Sequence, residues 1–128
     1  MCQYSAKDGH PGTWHLVHLG SRAVGGAAMV MTEASAVEEA GRISPADAGI
    51  YLDAHAESWR PIVEFLKEHG AVPGMQLAHA GRKASTAAPW LGGGPLTREQ
   101  GGWTPVSSTS GPFAVGHPAP RVLTHAAL

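Results

Sequence analysis

Apolar and polar positions fall along this chain in blocks whose spacing separates helices from strands. Trp14, Val17, Ala23 and Val24 recur at roughly helical intervals, and Thr13 offers an N-cap. The pattern predicts a helix from Thr13 to about Val24, stopped by Gly25-Gly26. Ala27-Ala28-Met29-Val30-Met31 then runs without alternation, which suits a parallel strand covered on both faces. Asp53 can cap a second helix from about Ala54 to His69, where Trp59, Ile62, Val63, Phe65 and Leu66 form the apolar stripe before Gly70. Pro61 lies beyond the first turn, so it costs one hydrogen bond or marks a kink. Ala71 to Ala78 has strand length, with Pro73-Gly74 as an irregularity near its start.

The run from Gln76 to Lys83 reads as a short buried strand that breaks abruptly into polar and cationic residues. In an α/β barrel, a strand's C-terminal tip meets its ligand in this way. Cys2-Gln3-Tyr4-Ser5 and Thr32-Glu33-Ala34-Ser35-Ala36 are read as two further strand ends. The order strand end, helix, strand, helix, strand predicts an α/β protein with a parallel sheet, although periodicity alone does not separate a closed barrel from an open doubly wound sheet.

The connections add detail. Residues 35–52 make a long link in which Ser44-Pro45-Ala46-Asp47 is expected to start a short helical turn. Pro89 to Gly116 is an excursion rich in Gly, Ser, Thr and Pro, and its Trp90, Trp103 and Phe113 predict that it packs on something. The segment from Pro120 to Leu128 reads as the approach to another helix.

Composition narrows the function. At 128 residues the chain has the length of one ordinary domain, but a (β/α)8 barrel needs about 250 residues, so on the barrel reading it is expected to be a piece of one domain, cut at both ends. A formal net charge of -1 gives no reason to expect nucleic acid or an anionic membrane as partner. A single cysteine allows no internal disulfide framework and points to a reduced, cytoplasmic setting. The chain lacks a G-x-G-x-x-G fingerprint, a phosphate-binding P-loop and a G-x-S-x-G nucleophile elbow. Eight histidines raise the question of metal, with His15 and His18 three apart and His10 as a further candidate, but no acid or thiol is spaced to complete a site.

In order and spacing, Cys2-Gln3-Tyr4-Ser5, Trp14 through Gly26, Thr32 through Val37, Gly41-Arg42-Ile43-Ser44 and Gln76 through Ser85 resemble the N-terminal part of the Old Yellow Enzyme family. The subgroup is the bacterial one that contains xenobiotic reductases, and the similarity continues to Pro120-Arg121-Val122-Leu123-Thr124. The resemblance implies a partial (β/α)8 TIM barrel, about three β/α units at the start of a single FMN-binding domain. It implies FMN as cofactor, NAD(P)H as reductant, and hydride transfer from flavin N5 to the β-carbon of an activated alkene. Relatives are commonly homo-oligomers.

By the same resemblance, Cys2 sits beside flavin N5 and tunes its potential, as a thiol within hydrogen-bonding reach can. Its presence where yeast-type relatives carry threonine favours the bacterial subgroup. Tyr4 lines the substrate pocket, and Ala34 lets the chain run close against the isoalloxazine. Gln76 meets the pyrimidine edge, where an amide supplies one acceptor and two donors. His79, Arg82 and Lys83 are expected either to favour reduced flavin or to brace the loop through carboxylates such as Glu33. The substrate-gripping histidines, the proton-donating tyrosine and the phosphate-binding cations of the family lie beyond Leu128, so these residues alone are expected to bind FMN poorly. Two rival readings remain: a dienoyl-CoA reductase or amine dehydrogenase on the same barrel, and a non-catalytic remnant.

Overall fold

The computed structural model describes residues 1–124 and Ala126. The main elements follow in the order α1 (Thr13–Val24), β1 (Met29–Ala36), α2 (Asp53–Glu68) and β2 (Val72–Ala78). β1 and β2 pair in parallel, from Met29 opposite Val72 to Ala36 opposite Ala78, with α2 in the crossover between them. β3 (Val106–Ser107) and β4 (Arg121–Val122) form a separate, short parallel pair.

Both helices pack on one face of β1 and β2. The core joins Leu19 and Ala23 of α1 to Trp59, Ile62 and Leu66 of α2 and Val30 of β1, with Ala6, Ala48 and Ala71 closing its edges. Full burial of a side chain such as Leu66 contributes about 2 kcal/mol, and Leu66 is 1% exposed.

α1 spans the residues expected of it, but its cap and its buried stripe differ. Gly12 is the N-cap, and its N–H donates to His15 Nδ1 at 3.0 Å. Trp14, Val17 and Val24 face outward, and the inward residues are His15, Leu19, Gly20 and Ala23. Steps of four residues hold 15, 19 and 23 on one stripe, and that stripe excludes the bulkier apolar side chains. Gly20 lets the helices approach, since a Cβ there would lie 2.8 Å from Phe65 Cε1. α2 begins one residue earlier than expected, with Leu52 at its N-cap, and it runs through Pro61 without ending. The carbonyl that Pro61 leaves without a donor belongs to Glu57, which is exposed.

The strands depart further from expectation. β1 is not covered on both faces, because Met29 and Met31 are half exposed while Val30 is buried. β2 is also open, with Val72 and Leu77 largely exposed. The helices cover one face up to Leu77, which stays exposed on their side, and leave the other face free. Cys2-Gln3-Tyr4-Ser5 forms no strand: Tyr4 has φ 47°, in the left-handed region, and the Gln3 N–H bonds to a carboxylate instead of a ladder. The main sheet of the described residues therefore holds two strands, where three β/α units were expected.

Ser44 to Asp47 forms a hydrogen-bonded turn where a helical turn was expected. Asp47 draws both the Ile43 N–H and the Ser44 hydroxyl onto its carboxylate, and that competes with helical bonding. The excursion packs as predicted through Trp103, whose indole N–H donates to the Ala40 carbonyl at 2.9 Å while the Arg42 guanidinium lies over its ring. Trp90 and Phe113 stay exposed. Of the helix expected near the end, Arg121–Val122 is instead strand, and His125, Ala127 and Leu128 lie outside the described residues.

Candidate functional site

A single irregularity in β1 builds the site. Met31 pairs with Gly74 and Ala34 with Gln76, so β1 spends three steps where β2 spends two. The extra residue is a bulge at Thr32–Glu33, and a bulge reverses which side chains face each way beyond it. Before the bulge, Val30 points to the helices and Met31 to the open face, where its thioether lies beside Gly74. Beyond it, Glu33 turns toward α1, and Ala34 shares the open face with Gln76 and Ala78. At the C-terminal ends of the strands, Ala34, Ala36, Ala78, Asp47 and Lys83 line a cavity of about 150 Å³.

Gln76 is exposed on this face, and its side-chain amide forms no hydrogen bond among the described residues. Its main-chain N–H reaches Thr32 Oγ1 at 3.4 Å. Cys2 is partly buried, near enough to Ala34 for that residue's main-chain N–H to act on the thiol. Burial, then the Asp47 and Glu33 carboxylates, raise the thiol pKa, while the amino terminus and the Ala34 N–H act in the opposite sense. Cys2, Ala34 and Gln76 thus form one contiguous group. Tyr4, two residues on, sets its ring edge-to-face against Trp90 at 5.6 Å, and burial raises its phenol pKa.

Beneath Cys2, the Gln3 N–H donates to Glu33 Oε2 at 2.7 Å. Glu33 Oε1 lies 2.9 Å from His15 Nε2, within ion-pair distance, though the ring does not aim a well-aligned hydrogen bond along that line. Both side chains are almost fully buried. Asp47 is buried too, and burial raises its carboxyl pKa even though Ser44 and Ile43 donate to it. The sequence reading missed the roles of His15 and Asp47. Polar residues inside otherwise apolar or turn-like segments were the available signal.

His79 braces the loop: its Nε2 lies 2.7 Å from Glu38 Oε1, and its Nδ1 accepts the Gly81 N–H. Arg82 and Lys83 do not meet Glu33, which faces His15 instead, and the Lys83 ammonium lies over the Phe113 ring. His10 turns to Ser58 and His55 rather than to His15.

Residues 1–102 match the model of the NADH:flavin oxidoreductase / NADH oxidase family. An NADH:flavin oxidoreductase of Gibberella zeae is 45% identical over 104 residues, which cover 80% of this chain and 25% of that protein. An NADPH dehydrogenase of Bacillus subtilis is 39% identical over 112 residues, covering 86% of this chain and 33% of its own. The chain therefore spans a quarter to a third of these relatives. The structure of morphinone reductase in complex with tetrahydroNAD superposes with TM-score 0.75 at 24% identity, covering 98% of this chain and 36% of that one. A 2-naphthoyl-CoA reductase superposes with TM-score 0.79 at 18% identity, covering 99% of this chain and 20% of its own.

Proposed function

The chain belongs to the NADH:flavin oxidoreductase / NADH oxidase family, and from that membership we propose that it forms one wall of a flavin site in an ene-reductase of the Old Yellow Enzyme type. FMN, with NAD(P)H as reductant, is the cofactor pairing of this family. When bound, the flavin supplies a hydride acceptor and donor between NAD(P)H and the β-carbon of an activated alkene. The observation that carries the reading is the pairing of Ala34 with Gln76 on the open face, with the Cys2 thiol near Ala34.

The residues fit such a ring. Small side chains at Ala34 and Ala78 leave room for a plane to lie against the C-terminal ends of the strands. The free Gln76 amide offers both donors and an acceptor to a pyrimidine edge. Cys2 stands close enough to this face to tune a bound flavin, and Tyr4 presents a hydroxyl toward substrate. The rest of the closed barrel and its oligomeric assembly belong to the same proposal. So does a cytoplasmic setting, which suits a lone thiol; no helix among the described residues is long and apolar enough to cross a membrane.

The CoA-reductase likeness extends only to fold, so it leaves the alkene-reductase reading preferred. The test is to mix the complete gene product with FMN and follow NAD(P)H oxidation with and without a conjugated enone. Enone-dependent oxidation is expected. Oxidation that ignores the enone while flavin stays bound would overturn the substrate class.

A further inference from the structure

We propose that Glu33, turned toward α1 by the bulge and clamped by His15, is a positioning residue that holds Cys2 near Ala34. The inference rests on the flavin reading only for its purpose, because the contacts themselves belong to this chain.

Three observations converge on it. The segment carrying Cys2 has no ladder to fix it, and its Tyr4 sits in an unfavourable left-handed conformation that something nearby must hold. The Gln3 N–H is the main-chain group next to Cys2, and it closes on Glu33 Oε2 at 2.7 Å across thirty positions of sequence. Glu33 and His15 are each almost fully enclosed, a costly place for polar groups unless they act on something.

The wiring is directional. The Gly12 N–H donates to His15 Nδ1, so the neutral ring carries its proton on Nε2, which lies 2.9 Å from Glu33 Oε1 as a close polar contact and not as an aligned hydrogen bond. That leaves Glu33 Oε2 free to accept from Gln3. One chain of contacts runs from the N-cap of α1, through the bulge of β1, to the residue beside the thiol. The same carboxylate lies near enough to act on the thiol's charge. The other charged groups acting on it are Asp47 and the amino terminus, beside the Ala34 N–H.

Because the chain has a single cysteine, alkylation by iodoacetamide reads Cys2 alone, and no flavin is needed. Glu33→Gln retains an acceptor for the Gln3 N–H but removes the charge. Its alkylation is expected to speed up about twofold or more at neutral pH, with the midpoint of the pH profile moving down; lower nucleophilicity partly offsets the larger thiolate fraction. His15→Phe keeps a ring but drops the clamp, and a faster reaction is expected there too.

Unchanged rates and pH profiles in both variants, with helical circular dichroism intact, would overturn the proposal. Should either variant fail to fold, amide exchange at Gln3 in the unsubstituted chain decides: slow exchange supports the latch, and exchange at the free-peptide rate refutes it. Loss of FMN binding elsewhere in the protein would leave all three readouts standing, so the two proposals fail separately.

Discussion

Ala34 and Gln76 face one another across the parallel pair, and they share the open side of the sheet because one extra residue at Thr32–Glu33 reverses the facing of β1. Without it, Ala34 would point into the helices and Glu33 outward. The small side chain at 34 then matters for what can lie on this face. Ala34→Leu should leave the fold intact, since the added atoms project toward the open side. In the complete gene product it should weaken FMN retention by about tenfold or more, an effect of over ~1.4 kcal/mol. Equilibrium dialysis against FMN, with circular dichroism as control, measures both.

Histidine 55 predicts a pH dependence. His55 is fully enclosed, packed edge-on against the His10 and Tyr51 rings, with Nε2 on the Asp8 carbonyl. Burial lowers its pKa below the ordinary 6.5, the Asp8 carbonyl opposes the shift, and His10 and Arg42 add to it. The folded state then binds fewer protons than the unfolded one between the lowered value and 6.5. The His55 contribution is therefore complete above that range and is lost as pH falls through it. Thermal midpoints should decline below pH 6.5, and His55→Gln should flatten the decline. An equally steep slope in the variant would contradict this assignment.

Trp103 and Trp90 separate stability from site. Trp103 anchors the excursion through Ala40 and Arg42. Trp103→Ala should cost about 1–3 kcal/mol, read as a lower urea midpoint. Trp90 is 65% exposed and touches Tyr4. Trp90→Ala should change stability by less than about 0.5 kcal/mol, while altering KM for an alkene in the complete gene product.

These cases show what the chain's letters reveal. Both helices were legible to within a residue or so, because Gly25-Gly26 and Gly70 stop them and the apolar spacing of α2 is regular. The facing of α1 was not. Hydrophobicity favours Trp14 and Val17, whereas the stripe facing the core runs through His15, whose Nδ1 accepts from Gly12 and whose Nε2 lies within ion-pair distance of Glu33. The bulge left no trace either, since neither Thr32 nor Glu33 is a Gly or Pro that would mark it. Residues 2–5 resembled a strand end but lack a ladder partner among the described residues, and Glu33 takes up the Gln3 amide instead. The pairing of Ala34 with Gln76 could be anticipated only through family resemblance; no local pattern encodes contact between strands some forty residues apart.

On the proposed function Gln76 faces the flavin, and the visible absorbance of the purified complete gene product reads that contact. After exhaustive dialysis, the unsubstituted protein should keep the visible flavin band and Gln76→Ala should lose most of it, with helical circular dichroism unchanged. Equal flavin content in the two proteins would place Gln76 outside the flavin site.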